Sequence, residues 1–323
     1  MGIVRWGLIG TGDIVRNRVA AAIRDGQGSE LVSVSRRDPN LAEGIAEELG
    51  ARKWFADWRE QIVDKEIDAV YIATPVFLHA EQTIAVAKTG KHVLCEKPMA
   101  LSVGECHSMI DACRSNNVKL GIAYYRRFYP AIVRIKKIIA DGEIGSVSVA
   151  QINAFEYFDP EPDHPRHWFV EKGKSGGGPM IDFGCHRLEV LRNIFGNVTR
   201  VESLVSNVAF GREVEDTAAA IIQFETGTCA SVTVTHATIE PQDTLHIFGT
   251  KGSIHIPILN SGEMTIKIGG VERLESLPPS TNFHEPLISD FAAAVMHDRD
   301  PEVTGEDGRD VQAMLEEIYK KGN

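Results

Sequence analysis

The first apolar run of the chain, Ile3–Ile9, stops at Gly10-Thr11-Gly12 and gives way to a segment of helical spacing, Asp13–Arg24, with Ile14, Val19 and Ile23 on one side. A strand that turns into a helix over two glycines is the opening of a βαβ unit. The residues that follow repeat the same grammar. Strand patterns at Glu30–Ser35, Asp68–Ala73, Lys91–Glu96 and Val118–Tyr124 alternate with helical patterns at Leu41–Leu49, Leu78–Thr89 and Val103–Ser115. Strands separated by helices pair in parallel through right-handed crossovers, so this region is expected to form a doubly wound parallel sheet.

After Tyr124 the pattern changes. A helix at Ile132–Ala140 and a strand at Val147–Phe155 precede a long polar loop, Phe158–Gly178, rich in Pro, His and Gly, and then a helix at Phe183–Phe195. Alternating, β-branched strands follow at Val201–Val208, Thr217–Phe224, Thr228–Thr235, Thr244–Phe248, Gly252–Ile256 and Met264–Ile268. Their short turns predict antiparallel neighbours. The expected organisation is therefore α/β: a nucleotide-binding domain over 1–123, an α+β domain with a large, mostly antiparallel open sheet over 124–303, and a closing helix within 304–323 that packs back on the first domain. A chain of 323 residues, 43% of them apolar, has ample material for two cores.

Composition narrows the partners. Net charge is −11 with no basic cluster, which argues against nucleic acid. No apolar run approaches the ~20 residues that span a bilayer, and the N-terminus lacks signal-peptide features. Five cysteines form no Cys-x-x-Cys pair. Reduced thiols in a cytoplasmic protein are the expectation.

The turn after the first strand has the chemistry of a pyrophosphate cradle. Gly10 permits the tight turn, and Gly12 lets the backbone approach the phosphates. Thr11, Asp13 and Ile14 complete the cradle at the helix N-terminus. The third position of the pattern is Val15, which implies looser packing of helix on strand. At the end of the second strand the chain reads Ser35-Arg36-Arg37-Asp38. Two guanidiniums and a hydroxyl suit a 2′-phosphate, so NADP is favoured over NAD; in the other reading Asp38 contacts the ribose. Thr74 and Pro75, at the end of the third strand, are placed on the nicotinamide side. His79 is grouped with the cofactor contacts, with bracing of its helix as the alternative.

Two runs carry the chemistry. In His92-Val93-Leu94-Cys95-Glu96-Lys97-Pro98, the proline holds Lys97 extended at the carboxyl end of a strand, where open α/β sheets place ligands. In Ser175–His186, three glycines allow the backbone to approach a ligand. Asp182 and His186 lie four apart and share a face if Asp182 opens a helix. A carboxylate beside an imidazole orients it and raises its pKa for general acid–base work. The plain alternative is an N-cap aspartate with an ordinary buried histidine. Tyr125, Arg127, Tyr157, His164, His167 and Trp168 are further candidates for substrate contacts. The segment Asp163–Trp168 has no accompanying ligand set, so no metal is expected. Cys185 reads as a small packing residue.

Taken together, Gly10-x-Gly12, Ala73-Thr74-Pro75 with His79, Glu96-Lys97-Pro98, Arg127-Phe128-x-Pro130, Gly176–His186 and Thr304-Gly305-Glu306-Asp307-Gly308 resemble the motifs of the Gfo/Idh/MocA family of oxidoreductases. The resemblance covers nearly the whole chain; it specifies the family and not a substrate. It implies a Rossmann domain followed by an α/β domain whose large sheet forms a dimer or tetramer contact. It also implies hydride transfer between nicotinamide and a sugar, polyol or related cyclic substrate. By position Lys97 matches the lysine of the family's Glu-Lys-Pro motif, and Asp182 and His186 match its second site motif. In the resulting mechanism His186, oriented by Asp182, moves the proton and Lys97 holds the substrate oxygen; the reverse assignment, with Lys97 as proton donor, stays open. Two other functions fit the same scaffold: a glycoside hydrolase using bound NAD(P) for transient redox, and a non-catalytic cofactor-binding sensor. Val15 and Arg36 depart from the family pattern.

Overall fold

Every residue of the first strand, Val4–Ile9 (β1), is buried except Arg5, as a strand covered by helices on both faces requires. It is the centre of a six-stranded parallel sheet. The others are β2 (Ser29–Ser35), β3 (Lys53–Phe55), β4 (Ala69–Ile72), β5 (His92–Cys95) and β6 (Leu120–Ile122), in the order β3-β2-β1-β4-β5-β6. The order reverses between β1 and β4, and a doubly wound sheet opens its ligand crevice beyond the carboxyl ends at such a reversal. Gly10, Thr74 and Lys97 all follow strands at that end. The short edge strand β3 and the helical turn Trp58–Gln61 are additions to the sequence expectation.

A computed structural model describes residues 2–322 and divides them into two units, 2–125 with 280–310, and 126–279 with 311–322. This corrects the boundaries expected at 123 and 303. The chain returns to the first unit at Ser280, ahead of a helix, Glu285–Met296, that the sequence reading passes over. That helix packs Phe291 against Trp6 of β1 at 5.5 Å between ring centroids. A Cβ on Gly121 of β6 would lie 2.8 Å from the same phenyl ring, so the glycine makes room for it. The final helix, Gly305–Gly322, which the sequence reading expected to pack back on the first domain, divides between the units after Asp310.

The second unit is an eight-stranded sheet: β7 (Val147–Tyr157), β8 (Val198–Ser206), β9 (Thr217–Phe224), β10 (Cys229–Thr235), β11 (Ala237–Gly249), β12 (Gly252–Ile256), β13 (Glu263–Ile268) and β14 (Val271–Ser276). Its order is β14-β13-β12-β11-β7-β10-β9-β8. β10 runs parallel to β7 and the other neighbours are antiparallel. Alternation decides the faces: Ala150, Ile152 and Ala154 of β7, Ala218, Ala220 and Ile222 of β9, and Ala230, Val232 and Val234 of β10 are buried, while the residues between them are not. The helix Cys185–Phe195 contributes to this core, with Phe195 against Phe224 at 5.4 Å. The expected long loop contains two short turns, His167–Val170 and Lys172–Ser175. Among the described residues no helix is long and apolar enough to cross a membrane.

Candidate functional site

In the first unit the glycines after β1 have different reasons for being glycine. Gly10 has φ +92°, and a Cβ there would lie 2.6 Å from the Ala73 carbonyl oxygen, so the turn and the close approach of β4 both demand it. Gly12 has no such internal reason, since a Cβ there meets nothing within 4 Å. The open space beside it, at the start of a helix that no side chain caps, is the cradle a pyrophosphate would fill. The residues present therefore fit a dinucleotide. Asp13 is exposed and Ile14 half-buried at this start. Val15 is fully buried, and after one residue pair of α-helix a π turn runs over Val15–Val19.

Arg36 folds back over this turn, donating from Nη1 to Thr11 Oγ1 at 3.1 Å. Ser35 is buried, within 3.5 Å of the Leu8 carbonyl, and Arg37 is exposed. Asp38 caps the helix Pro39–Leu49, its Oδ1 accepting from the Asn40 N–H at 3.0 Å. His79 is buried, and its ring nitrogens face the Thr74 carbonyl at 2.8 Å and the Pro98 carbonyl at 3.0 Å. The two nitrogens thus face the loops after β4 and β5, and the neutral ring donates to one of the two carbonyls. His79 therefore lies buried between these two loops as well as at the start of its helix. Burial pulls its pKa down despite those carbonyls.

Lys97 is half-buried, directly after Glu96, and its peptide bond to Pro98 is cis. Glu96 faces inward. It accepts from Tyr71 Oη at 2.7 Å and from the Lys97 N–H at 3.1 Å, and His284 Nε2 lies 3.6 Å away. Burial pushes this carboxyl up, but His284, Lys97 and Tyr71 outweigh it and leave it below the usual carboxylate range. Glu96 thus anchors the backbone that carries Lys97. Tyr125 packs in the same unit on Phe283 and His284, with centroid distances of 6.0 and 4.7 Å.

In the second unit the run after Ser175 is anchored from a distance. A π turn, Met180–Gly184, continues without a break into the helix Cys185–Phe195, so Asp182 lies inside the helical run and not at its N-cap. A Cβ on Gly177 would lie 2.2 Å from Tyr319 Oη, and one on Gly178 would lie 2.0 Å from the Glu215 carbonyl oxygen. These two glycines therefore make room for protein, correcting the expectation that the glycine run serves a ligand. Glu215 accepts from the Gly178 N–H at 2.9 Å, the Met180 N–H at 3.2 Å and Tyr319 Oη at 2.6 Å. Burial nevertheless raises its pKa.

His186 is buried and Asp182 is 10% exposed. Asp182 Oδ2 lies 3.6 Å from His236 Nε2, and Glu156 Oε1 lies 3.9 Å from the same nitrogen. Glu156 and His236 were missed from the sequence because they stand on β7 and just after β10, far from Asp182 along the chain. Alternation in the strands was the only signal available. Arg127 is committed to a buried ion pair with Glu189 at 2.8 Å, on the helix that bears His186. Tyr157 is 59% exposed, edge-on to Phe210. His167 faces the Pro160 carbonyl at 3.0 Å, Trp168 packs on Phe169, and His164 is exposed. Cys185 is buried, as a packing residue should be.

The profile of an oxidoreductase family with an NAD-binding Rossmann fold matches residues 4–124, and that of the GFO/IDH/MocA C-terminal domain matches residues 132–255. The chain is 32% identical to 1,5-anhydro-D-fructose reductase of Ensifer adhaerens, over 94% of this chain and 92% of that protein. Its fold superposes on aldose-aldose oxidoreductase from Caulobacter crescentus with a TM-score of 0.90 and 26% identity, covering 99% and 97% of the two chains. A levoglucosan dehydrogenase in complex with NADH and levoglucosan gives 0.88 and 25%, with the same coverage. Two consecutive family profiles, a near-full-length relative and a fold to match identify this chain as a member of the GFO/IDH/MocA oxidoreductases.

Proposed function

We propose that this oxidoreductase moves a hydride between a nicotinamide dinucleotide, with NADP favoured, and a carbinol or carbonyl carbon of a sugar, polyol or related cyclic substrate. What carries the reading is the coincidence of Lys97, Asp182 and His186 with the family's two site motifs, in a chain whose Gly12 turn is open to a pyrophosphate. The bound cofactor supplies the hydride acceptor, so the protein must manage the proton and the oxygen. His186, oriented by Asp182, takes the hydroxyl proton in oxidation and returns it in reduction. Lys97 donates to the reacting oxygen and stabilises negative charge on it. Glu96 and His79 hold the Lys97 loop in place from below. The Arg36 guanidinium, already beside Thr11, supports preference for the 2′-phosphate. Apolar residues exposed on the eight-stranded sheet, among them Leu204, Ile221 and Leu274, support self-association through that sheet.

A panel of 1,5-anhydro-D-fructose, levoglucosan and D-glucose with NADPH, NADH and their oxidised forms tests this. The expected result is a stoichiometric change in cofactor absorbance, larger with the phosphorylated cofactor. Arg36→Ala should reduce that preference by about 10-fold. His186→Ala and Lys97→Ala should each lower kcat by ~100-fold or more. Product formed with no net change in cofactor would replace the dehydrogenase by the transient-redox hydrolase.

A further inference from the structure

We propose that Glu156 is the proton outlet of the Asp182–His186 pair, with Arg212 and His236 fixing it in that role; this rests on the reading of Asp182 and His186 given above. The three groups stand on separate elements. Glu156 is near the end of β7, Asp182 is in the π turn, and His236 follows β10. One ligating atom from each lies within 4.8 Å of the other two. Glu156 is 46% exposed and lines a cavity of about 730 Å³ within the second unit, with Asn153, Arg187 and Asp243, whereas His236 is fully buried. The cluster therefore runs from the buried carboxylate of Asp182 to a polar, roomy space.

Bare spacing would also suit a divalent cation, and Arg212 decides between the two. Its Nη2 lies 3.0 Å from His236 Nδ1. A guanidinium can only donate, so Nδ1 accepts and the ring proton sits on Nε2, the nitrogen that faces the carboxylates. A metal would need the lone pair of that nitrogen, and metal-bound histidines normally donate from the other one. The ring is held at this angle by Phe158 and Phe183, each edge-on at 5.1 Å. Arg212 is itself held by the Phe158 carbonyl at 2.9 Å. What the cluster presents is an N–H donor between two acceptors. That is the pattern for one bridging water, which accepts from His236 Nε2 and donates to Asp182 and Glu156.

The proton count closes. Each alcohol oxidised releases one hydride and one proton. The hydroxyl proton passes to His186 and then to Asp182. The bridging water gives a proton to Glu156 as it takes one from Asp182, and Glu156 releases a proton to water in the cavity. In reduction the order reverses. Burial and then Asp182 push the Glu156 carboxyl above the usual range, against the pull of His236, Arg166 and Arg187, which also face it. A carboxyl raised in this way is better matched to proton exchange near neutral pH.

The test compares Glu156→Gln, Glu156→Asp and His186→Ala in the oxidation of levoglucosan or D-glucose, and titrates the substrate-free enzyme by infrared spectroscopy. Glu156→Gln should lower kcat about 10-fold with KM little changed and should displace the pH profile of kcat. Formate or imidazole should restore its rate in proportion to their concentration, and Glu156→Asp should keep most of the activity. In the substrate-free enzyme, a carboxyl band lost in Glu156→Gln should titrate at lower pH when Asp182 is replaced by Asn. A Glu156→Gln enzyme with normal kcat and pH profile, a loss that no added base rescues, or a Glu156 band indifferent to Asp182 would each overturn the outlet. So would a stoichiometric divalent metal in the purified protein that Glu156→Gln abolishes. If His186→Ala is inactive while Glu156→Gln is normal, the outlet alone falls. If His186→Ala keeps its turnover, the acid–base reading beneath it falls.

Discussion

In the parallel-sheet unit the candidate site residues sit within a few positions of a strand end: Gly10 and Gly12 after β1, Thr74 after β4, Glu96 and Lys97 after β5. In the antiparallel-sheet unit Asp182 meets Glu156 from β7 and His236 from beyond β10, and its backbone is anchored through Glu215 to Tyr319 on the last helix. The first arrangement is built from backbone geometry, which local sequence controls. The second is built from side chains that only the sheet register brings together. The lesson is that the binding and proton-handling roles proposed for this chain should answer to different kinds of mutation.

The largest expected effect breaks the first unit from within. Gly10→Ala forces a side chain onto a positive φ and against the Ala73 carbonyl, so it should cost about 3 kcal/mol of stability and abolish cofactor binding. Gly12→Ala is its partner experiment. With no protein atom near the new methyl, stability should stay within about 0.5 kcal/mol while cofactor Kd rises about 10-fold or more. Thermal melts and a cofactor titration read the two apart, and equal melting losses would erase the distinction drawn between the glycines.

Tyr319→Phe probes the second unit at long range. It removes one donor from a buried carboxylate, for an expected loss of about 1–2 kcal/mol. Turnover should fall with it, because the Gly178–Met180 backbone leading to Asp182 loosens, while cofactor affinity holds. A parallel drop in cofactor affinity would contradict the division of labour. The smallest effect concerns pH. The Glu96 pKa is lowered on folding, so its contribution to stability is present above the ordinary value of 4.5 and lost as pH falls through the folded one. Glu96→Gln should therefore flatten the acid limb of a melting-temperature profile by a few degrees and leave the alkaline limb alone.

Much of the fold was legible in the sequence because its signals are local. The alternation of strand and helix fixed the parallel sheet, and period-two burial fixed the second sheet. The helix Glu285–Met296 carried signals of its own, with Pro286 in its first turn and Leu287, Ile288, Phe291 and Ala292 on one face, yet nothing local says that it returns to cover Trp6. Among the candidate site residues, Lys97, Asp182 and His186 stood out because each lies in a compact motif. Arg127 and His79 stood out for the same reason, and the structure commits them to Glu189 and to two backbone carbonyls. A motif reports that a polar residue is needed at a position. It does not report whether the need comes from a ligand or from the protein.

The sequence by itself determined the two sheet types, the turn at Gly10–Gly12 and the family, because each depends on residues close together in the chain and on the stereochemistry of glycine, proline and β-branched side chains. Tertiary structure alone decided that Glu96 faces inward to Tyr71, that Gly177 and Gly178 make room for Tyr319 and Glu215, and that Glu156 and His236 gather around Asp182. Those groupings follow from strand register and from buried charges finding partners, and neither is written in any short stretch of sequence.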